Sequence, residues 1–228
     1  MVNNKVCVIV GGADVICAYS AKEMAKNGYV TAIVDTNIDN AKRIADEICT
    51  FGGLAKAYEG DCRSYDSLSN VRGLICAEFG KCNVIVNNLQ STVDGDVNTD
   101  SVLTSAQAFV ADMRGEIGCS IVNICPSGRL EAETVELTRK MAVNFAHEGI
   151  RVNAIVYSNV IARGNRGEFY NDDNTPTEFA QSILAAVPMG RFGKPEEVVG
   201  ALKYLSDPVA ASYTTGTVVR VDGGYSAK

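Results

Sequence analysis

Val6-Cys7-Val8-Ile9-Val10-Gly11-Gly12-Ala13-Asp14-Val15-Ile16-Cys17 is the stretch on which the fold turns. An unbroken apolar run suits a strand buried on both faces of a parallel sheet. Gly11-Gly12 turns the chain. Ala18 to Asn27 then reads as a helix stopped by Gly28.

The same alternation continues outward. Val30–Val34 is a strand closed by Asp35, and Asn37 opens a helix through Ala41, Ile44, Ala45 and Ile48. Ala55–Glu59 and Val84–Val86 are strands separated by a helix over Ser67–Phe79. Val102, Ala106, Phe109, Val110 and Met113 recur at helical spacing, as do Val135, Leu137, Met141 and Phe145 before Gly149. Ser120–Ile124, Val152–Val156 and Thr217–Val221 are further strands, with a late helix over Glu196–Leu205. Strictly alternating elements predict an α/β fold, a Rossmann-type doubly wound parallel sheet with helices on both faces. The polar segment 163–177 reads as a loop or lid. There are no repeats and no linker, so residues 1–228 are expected to form a single domain.

Composition excludes several classes. At 228 residues and 46% hydrophobic, the chain can bury a full core. A net charge of −6 argues against a nucleic-acid partner, which needs a basic face. No apolar run reaches the roughly 18 residues of a membrane span. Met1 to Lys5 leads straight into a strand without a signal-peptide pattern, so a cytoplasmic location is expected. The 8 cysteines form no CxxC pair and His147 is the only histidine, so no metal site is expected and the thiols read as reduced.

Three stretches carry a family resemblance. They are Leu137-Thr138-Arg139 through Gly149-Ile150-Arg151-Val152-Asn153-Ala154-Ile155, Pro188-Met189-Gly190-Arg191-Phe192-Gly193-Lys194-Pro195-Glu196-Glu197-Val198, and Thr215-Gly216 with Val221-Asp222-Gly223-Gly224. Through them the chain resembles the short-chain dehydrogenase/reductase family over nearly its whole length. The resemblance implies a seven-stranded parallel sheet and an oligomer whose contacts involve the helices around 102–113 and 135–145, the late helix and the last strand.

Against that family the site residues are altered. The family's first turn carries three glycines, the last two for close approach of pyrophosphate and helix. Gly11 matches the first, but Val15 and Cys17 stand at the others, and Asp14 places a negative charge beside the phosphate position. The adenosine half is better kept. Asp35 matches the acidic residue that receives a ribose hydroxyl of NAD, Asp61 the adenine-contacting aspartate, and Asn87 the first asparagine of the NNAG turn. Asp35 and Asp61 are also ordinary strand-end residues, and Asn87 equally suits a role in the central sheet. Together the four positions read as a vestigial cofactor site.

The family's catalytic set is a serine, a tyrosine and a lysine one helical turn further on, whose charge lowers the tyrosine pKa. Pro126, Ser127 and Glu131 occupy those positions, and the stretch between serine and tyrosine is deleted near 125–131. A second shortening lies near 88–98, where Asn98 matches the family's active-site asparagine. After the next strand the family's Pro-Gly and threonine become Tyr157-Ser158 and Ala162. Ser127 as a shifted serine, Tyr157 as a migrated tyrosine and Cys125 as a nucleophile are alternatives; loop bonding, packing and a buried thiol are the plainer roles.

The expectation is a non-catalytic subunit that binds no cofactor itself. It would assemble, as a heterotetramer, with a catalytic NAD-dependent 3-hydroxyacyl-CoA dehydrogenase paralogue that holds NAD and the acyl-CoA. The altered positions and cysteine-rich composition resemble such subunits in the benzylsuccinate branch of anaerobic toluene degradation. Two alternatives stay open: an active NAD-dependent oxidoreductase with displaced residues, and a ligand-sensing protein using the emptied cleft. Closure of that cleft by Val15, Leu89 and Tyr157 would argue against sensing.

Overall fold

The computed structural model describes residues 5–88, 100–128, 130–162 and 165–228. Seven parallel strands form one sheet: β1 (Lys5–Val10), β2 (Tyr29–Asp35), β3 (Ala55–Glu59), β4 (Cys82–Asn88), β5 (Ser120–Pro126), β6 (Arg151–Tyr157) and β7 (Val218–Val221), in the order β3-β2-β1-β4-β5-β6-β7. The order reverses direction between β1 and β4, so the strand C-termini open a crevice there, where doubly wound sheets take their ligands.

The apolar runs become the strands because helices cover both faces. On one face α3 (Tyr65–Phe79), α4 (Asp100–Met113) and α5 (Glu131–Phe145) pack Leu68, Phe109, Met113 and Met141 onto the sheet. On the other, α1 (Val15–Lys26), α2 (Ile38–Thr50) and α8 (Pro195–Ser206) contribute Met24, Ile44, Ile48 and Leu202. Helix starts follow local capping chemistry: Asp14, Asn37 and Ser64 side chains accept from the Cys17, Asn40 and Ser67 amides.

The family-like stretches have visible structural work. Asn153 Nδ2 donates to the Thr214 carbonyl at 3.0 Å and Gly216 N to the Val152 carbonyl at 2.7 Å, which sews the lead-in of β7 to β6. Arg191 grips Glu197 at 2.9 and 2.6 Å, and the same carboxylate accepts from the Lys194 amide, which fixes the entry of α8. That arginine holds the Glu197 carboxyl down at about 2.

The segment 163–177 is not wholly a loop. It contains the short helix α6 (Arg166–Phe169), with the Arg166 guanidinium 4.6 Å from the Tyr170 ring centre. A further helix, α7 (Glu178–Ala186), follows. Its signal was present in the sequence: Thr177 caps it, and Ala180, Ile183 and Leu184 fall on one face. Phe169 and Phe192, with ring centres 4.9 Å apart, give this region a small apolar cluster separate from the sheet layers.

Candidate functional site: the strand C-terminal crevice

The turn after β1 is held by its own neighbours. Gly11 has φ +71°, and a Cβ on Gly12 would lie 2.6 Å from the Ile33 side chain. Both glycines therefore serve the turn itself. Ala13 N donates to Asp35 Oδ2 at 2.9 Å, and Asn40 Nδ2 donates to the Ala13 carbonyl. Asp35 Oδ1 accepts from the Asn37 amide at 2.8 Å, so both oxygens of the proposed ribose acceptor are engaged.

Asp14 is the N-cap of α1. Its carboxylate accepts from Cys17 N at 2.7 Å and from Asn88 Nδ2 at 2.6 Å. Burial pushes its carboxyl up, and those hydrogen bonds partly oppose the shift. Its charge thus sits at the positive end of the helix dipole as an internal anion. Cys17 is fully buried between α1 and the sheet, where burial raises its thiol well above the ordinary value. Val15 is 41% exposed and lines a cleft of about 470 Å³ together with Tyr19, Lys22, Tyr157, Val160 and Ala162. The cleft is open beside Val15 and Tyr157; Leu89 lies outside the described residues.

The other adenosine-side residues are also engaged within the chain. Arg63 pairs with Asp61 at 3.0 Å, and this hydrogen bond holds the Asp61 carboxyl below its ordinary value. Asn87 is buried in a polar chain that crosses the sheet. Ser105 Oγ donates to Asn87 Oδ1 at 2.6 Å, Asn87 Nδ2 to Asn123 Oδ1 at 2.9 Å, and Asn123 Nδ2 to Thr138 Oγ1 at 2.9 Å. Its role in the central sheet is therefore the one its contacts display.

At the tips of β5 and β6, Pro126 lies opposite Tyr157 in register, and Ser127 N donates to the Tyr157 carbonyl at 2.7 Å. Glu131, expected at the place of the family lysine, begins α5 and forms an ion pair with Arg220 of β7. Asn98 lies outside the described residues. The lysine of the cleft beside Tyr157, Lys22, is paired with Glu47 at 2.5 Å. Cys125 is buried, with its thiol pushed up to about 11 by desolvation. His147 sits just beyond the other end of α5, which spans roughly 22 Å at 1.5 Å per residue. Cys125 therefore has no base from that imidazole. No group of three or more potential metal ligands occurs among the described residues, and no helix among them is long and apolar enough to cross a membrane.

Comparison with known proteins decides the family. The short chain dehydrogenase model matches residues 5–131, more than half of the 228-residue chain, and the enoyl-(acyl carrier protein) reductase model matches residues 127–226.

The chain is a short-chain dehydrogenase/reductase.

This family comprises NAD(P)-dependent oxidoreductases. An uncharacterized oxidoreductase of Haemophilus influenzae is 30% identical over 267 aligned positions, covering 98% of this chain and 94% of the relative. A cyclohexanol dehydrogenase of Acinetobacter is 27% identical, covering 99% and 96%. Among solved structures, a putative D-mannonate oxidoreductase from Haemophilus with bound NAD superposes with a TM-score of 0.89 at 30% identity, over 99% of this chain and 96% of that one. This short-chain dehydrogenase therefore has the family's Rossmann-like sheet of seven parallel strands flanked by helices.

Proposed function

We propose that this short-chain dehydrogenase is a non-catalytic subunit that assembles with a catalytic NAD-dependent paralogue. The observation that carries the proposal is the Glu131–Arg220 ion pair. The family reaction needs a cation beside a tyrosine, to favour the phenolate that exchanges the substrate proton. At that place this chain holds a carboxylate neutralised by Arg220. The serine position holds Pro126, which has no hydroxyl. Members of a catalytic unit fail together rather than additively, so the change at one of these positions already removes most of what the unit supplies. The partner would carry the Ser-Tyr-Lys set, NAD and a 3-hydroxyacyl-CoA oxidised to the 3-oxoacyl-CoA; a heterotetramer is the proposed assembly. That substrate class, and its benzylsuccinate form in particular, rests on sequence resemblance alone.

A tag on this chain in its own host, followed by native mass spectrometry of what co-purifies, tests the proposal. The expected result is a mixed assembly with a paralogue carrying the full catalytic set, with turnover lost when that paralogue's tyrosine is changed. A homo-oligomer that turns over by itself overturns it.

A second reading, an active NAD-dependent oxidoreductase with displaced residues, is favoured by the NAD-bound relative at 30% identity over 99% of this chain. Tyr157, at the cleft that Val15 lines, is its strongest candidate group. The second reading predicts NAD-dependent oxidation by the isolated chain that Tyr157→Phe abolishes.

A further inference from the structure

The glycines that remain in the first turn and those that are gone divide by what they serve. Gly11 and Gly12 are demanded by the turn's own backbone and by Ile33. The positions where a dinucleotide phosphate or the helix would come close to backbone carry Val15 and Cys17. Several hydrogen-bonding groups around the turn are bonded within the chain, although the buried Asn88 Oδ1 has no partner among the described residues. Asp35 binds the Ala13 and Asn37 amides, Asn40 binds the Ala13 carbonyl, and Asp14 takes the Cys17 amide and the Asn88 side chain.

We infer that this chain has a self-ligated dinucleotide turn: its internal carboxylates fill the places of the ribose and phosphate contacts, and the Val15 side chain bars the approach of a diphosphate. Asp35 is then a strut of the turn rather than a ribose acceptor. The inference deepens the subunit proposal, which gives NAD to the partner, but it is argued from the turn and can fail separately, because a chain without proton-transfer groups could still bind NAD.

Three features act in the same direction. A β-branched side chain at Val15 adds bulk where a phosphate must touch the main chain, and glycine is the residue that leaves room. The first-turn amides of a helix are the ready-made anion site of this fold, and Asp14 already supplies the anion. A bound diphosphate would sit within a few ångströms of that carboxylate, where like charges repel.

The test uses the isolated full chain and the thermal midpoint with 1 mM NAD or NADH. The wild type is expected to move by less than about 1 °C. Val15→Gly, and more strongly Val15→Gly with Asp14→Ser, is expected to gain a rise of several degrees. A ligand at 100 times its Kd raises the Tm of a chain this size by roughly 5–10 °C. Val15→Ala is the milder variant should glycine weaken α1. Asp35→Ala is expected to lower the unliganded Tm by roughly 2–6 °C, because two amides lose their acceptor. A clear NAD-induced rise in the wild type overturns the inference. So does the absence of any gain in Val15 variants that melt like the wild type, and so does an unchanged Tm for Asp35→Ala. None of these readouts involves turnover or a partner.

Discussion

Asn123 and Pro126 lie three residues apart on β5 and belong to different regimes. Asn123 sits within the sheet, with both ends of its amide bonded to Asn87 and Thr138. Pro126 sits at the rim, opposite Tyr157, and supplies no donor to the crevice. Inside the sheet, the Asn87–Asn123–Thr138 chain ties β4, β5 and α5 together. The rim, where the family performs its chemistry, carries residues that bond to one another instead. A scaffold and its reaction site can therefore diverge within a single strand, because the packing constraint and the chemical constraint act on different residues.

That contrast can be broken most decisively in the interior. Asn123→Ala leaves Asn87 and Thr138 with buried unpaired groups, and is expected to cost about 2–4 kcal/mol in urea unfolding. A loss below about 0.5 kcal/mol would mean that the polar chain is ornamental.

At the rim the expected effects are smaller. Glu131→Lys restores the family's residue type but sets it against Arg220, in a pair whose side chains are 21% and 40% exposed. It is expected to destabilise by about 1–1.5 kcal/mol after solvent screening. It should yield no NAD-dependent turnover by the isolated chain, measured with a panel of secondary alcohols. Gain of turnover would return this site to the active-enzyme reading.

The cap of α1 sharpens the comparison further. Asp14→Ala is expected to cost about 1 kcal/mol, and Asp14→Ser less than about 0.5, as befits an N-cap. Equal losses for both would assign Asp14 a role that depends on its charge.

The smallest effect is a pH dependence at the entry of α8. Glu197 is held near 2 by Arg191, against an ordinary value of 4.5. A depressed carboxylate contributes stability that is fully present above its unfolded value and fades as pH falls from about 4.5 towards about 2. With its side chain 38% exposed, the contribution is about 0.5 kcal/mol. Arg191→Ala should flatten that part of the stability curve, read by urea titration between those pH values.

The strands were legible because burial on both faces writes continuous apolar runs, as in Val6–Val10 and Val152–Val156. α7 is faint in the sequence because a short helix beside a polar stretch carries only one cap and one face, Thr177 with Ala180, Ile183 and Leu184. The family was equally legible, since the matched stretches are residue identities that need no coordinates. Asp35 and Asp61 were not, because a carboxylate at a strand end has the same letter whether it awaits a ribose or is already bonded.

The strand–helix alternation and the family were readable in the sequence, because both are properties of order and identity along the chain. Only the tertiary structure decided that Glu131 meets Arg220 from 89 positions away, that Asn87 is spent on Asn123, and that Asp35 closes on Ala13. The physical reason is that a hydrogen bond or ion pair depends on which side chains the sheet brings within a few ångströms. That distance is set by register and packing between elements far apart in sequence, and no local pattern records it.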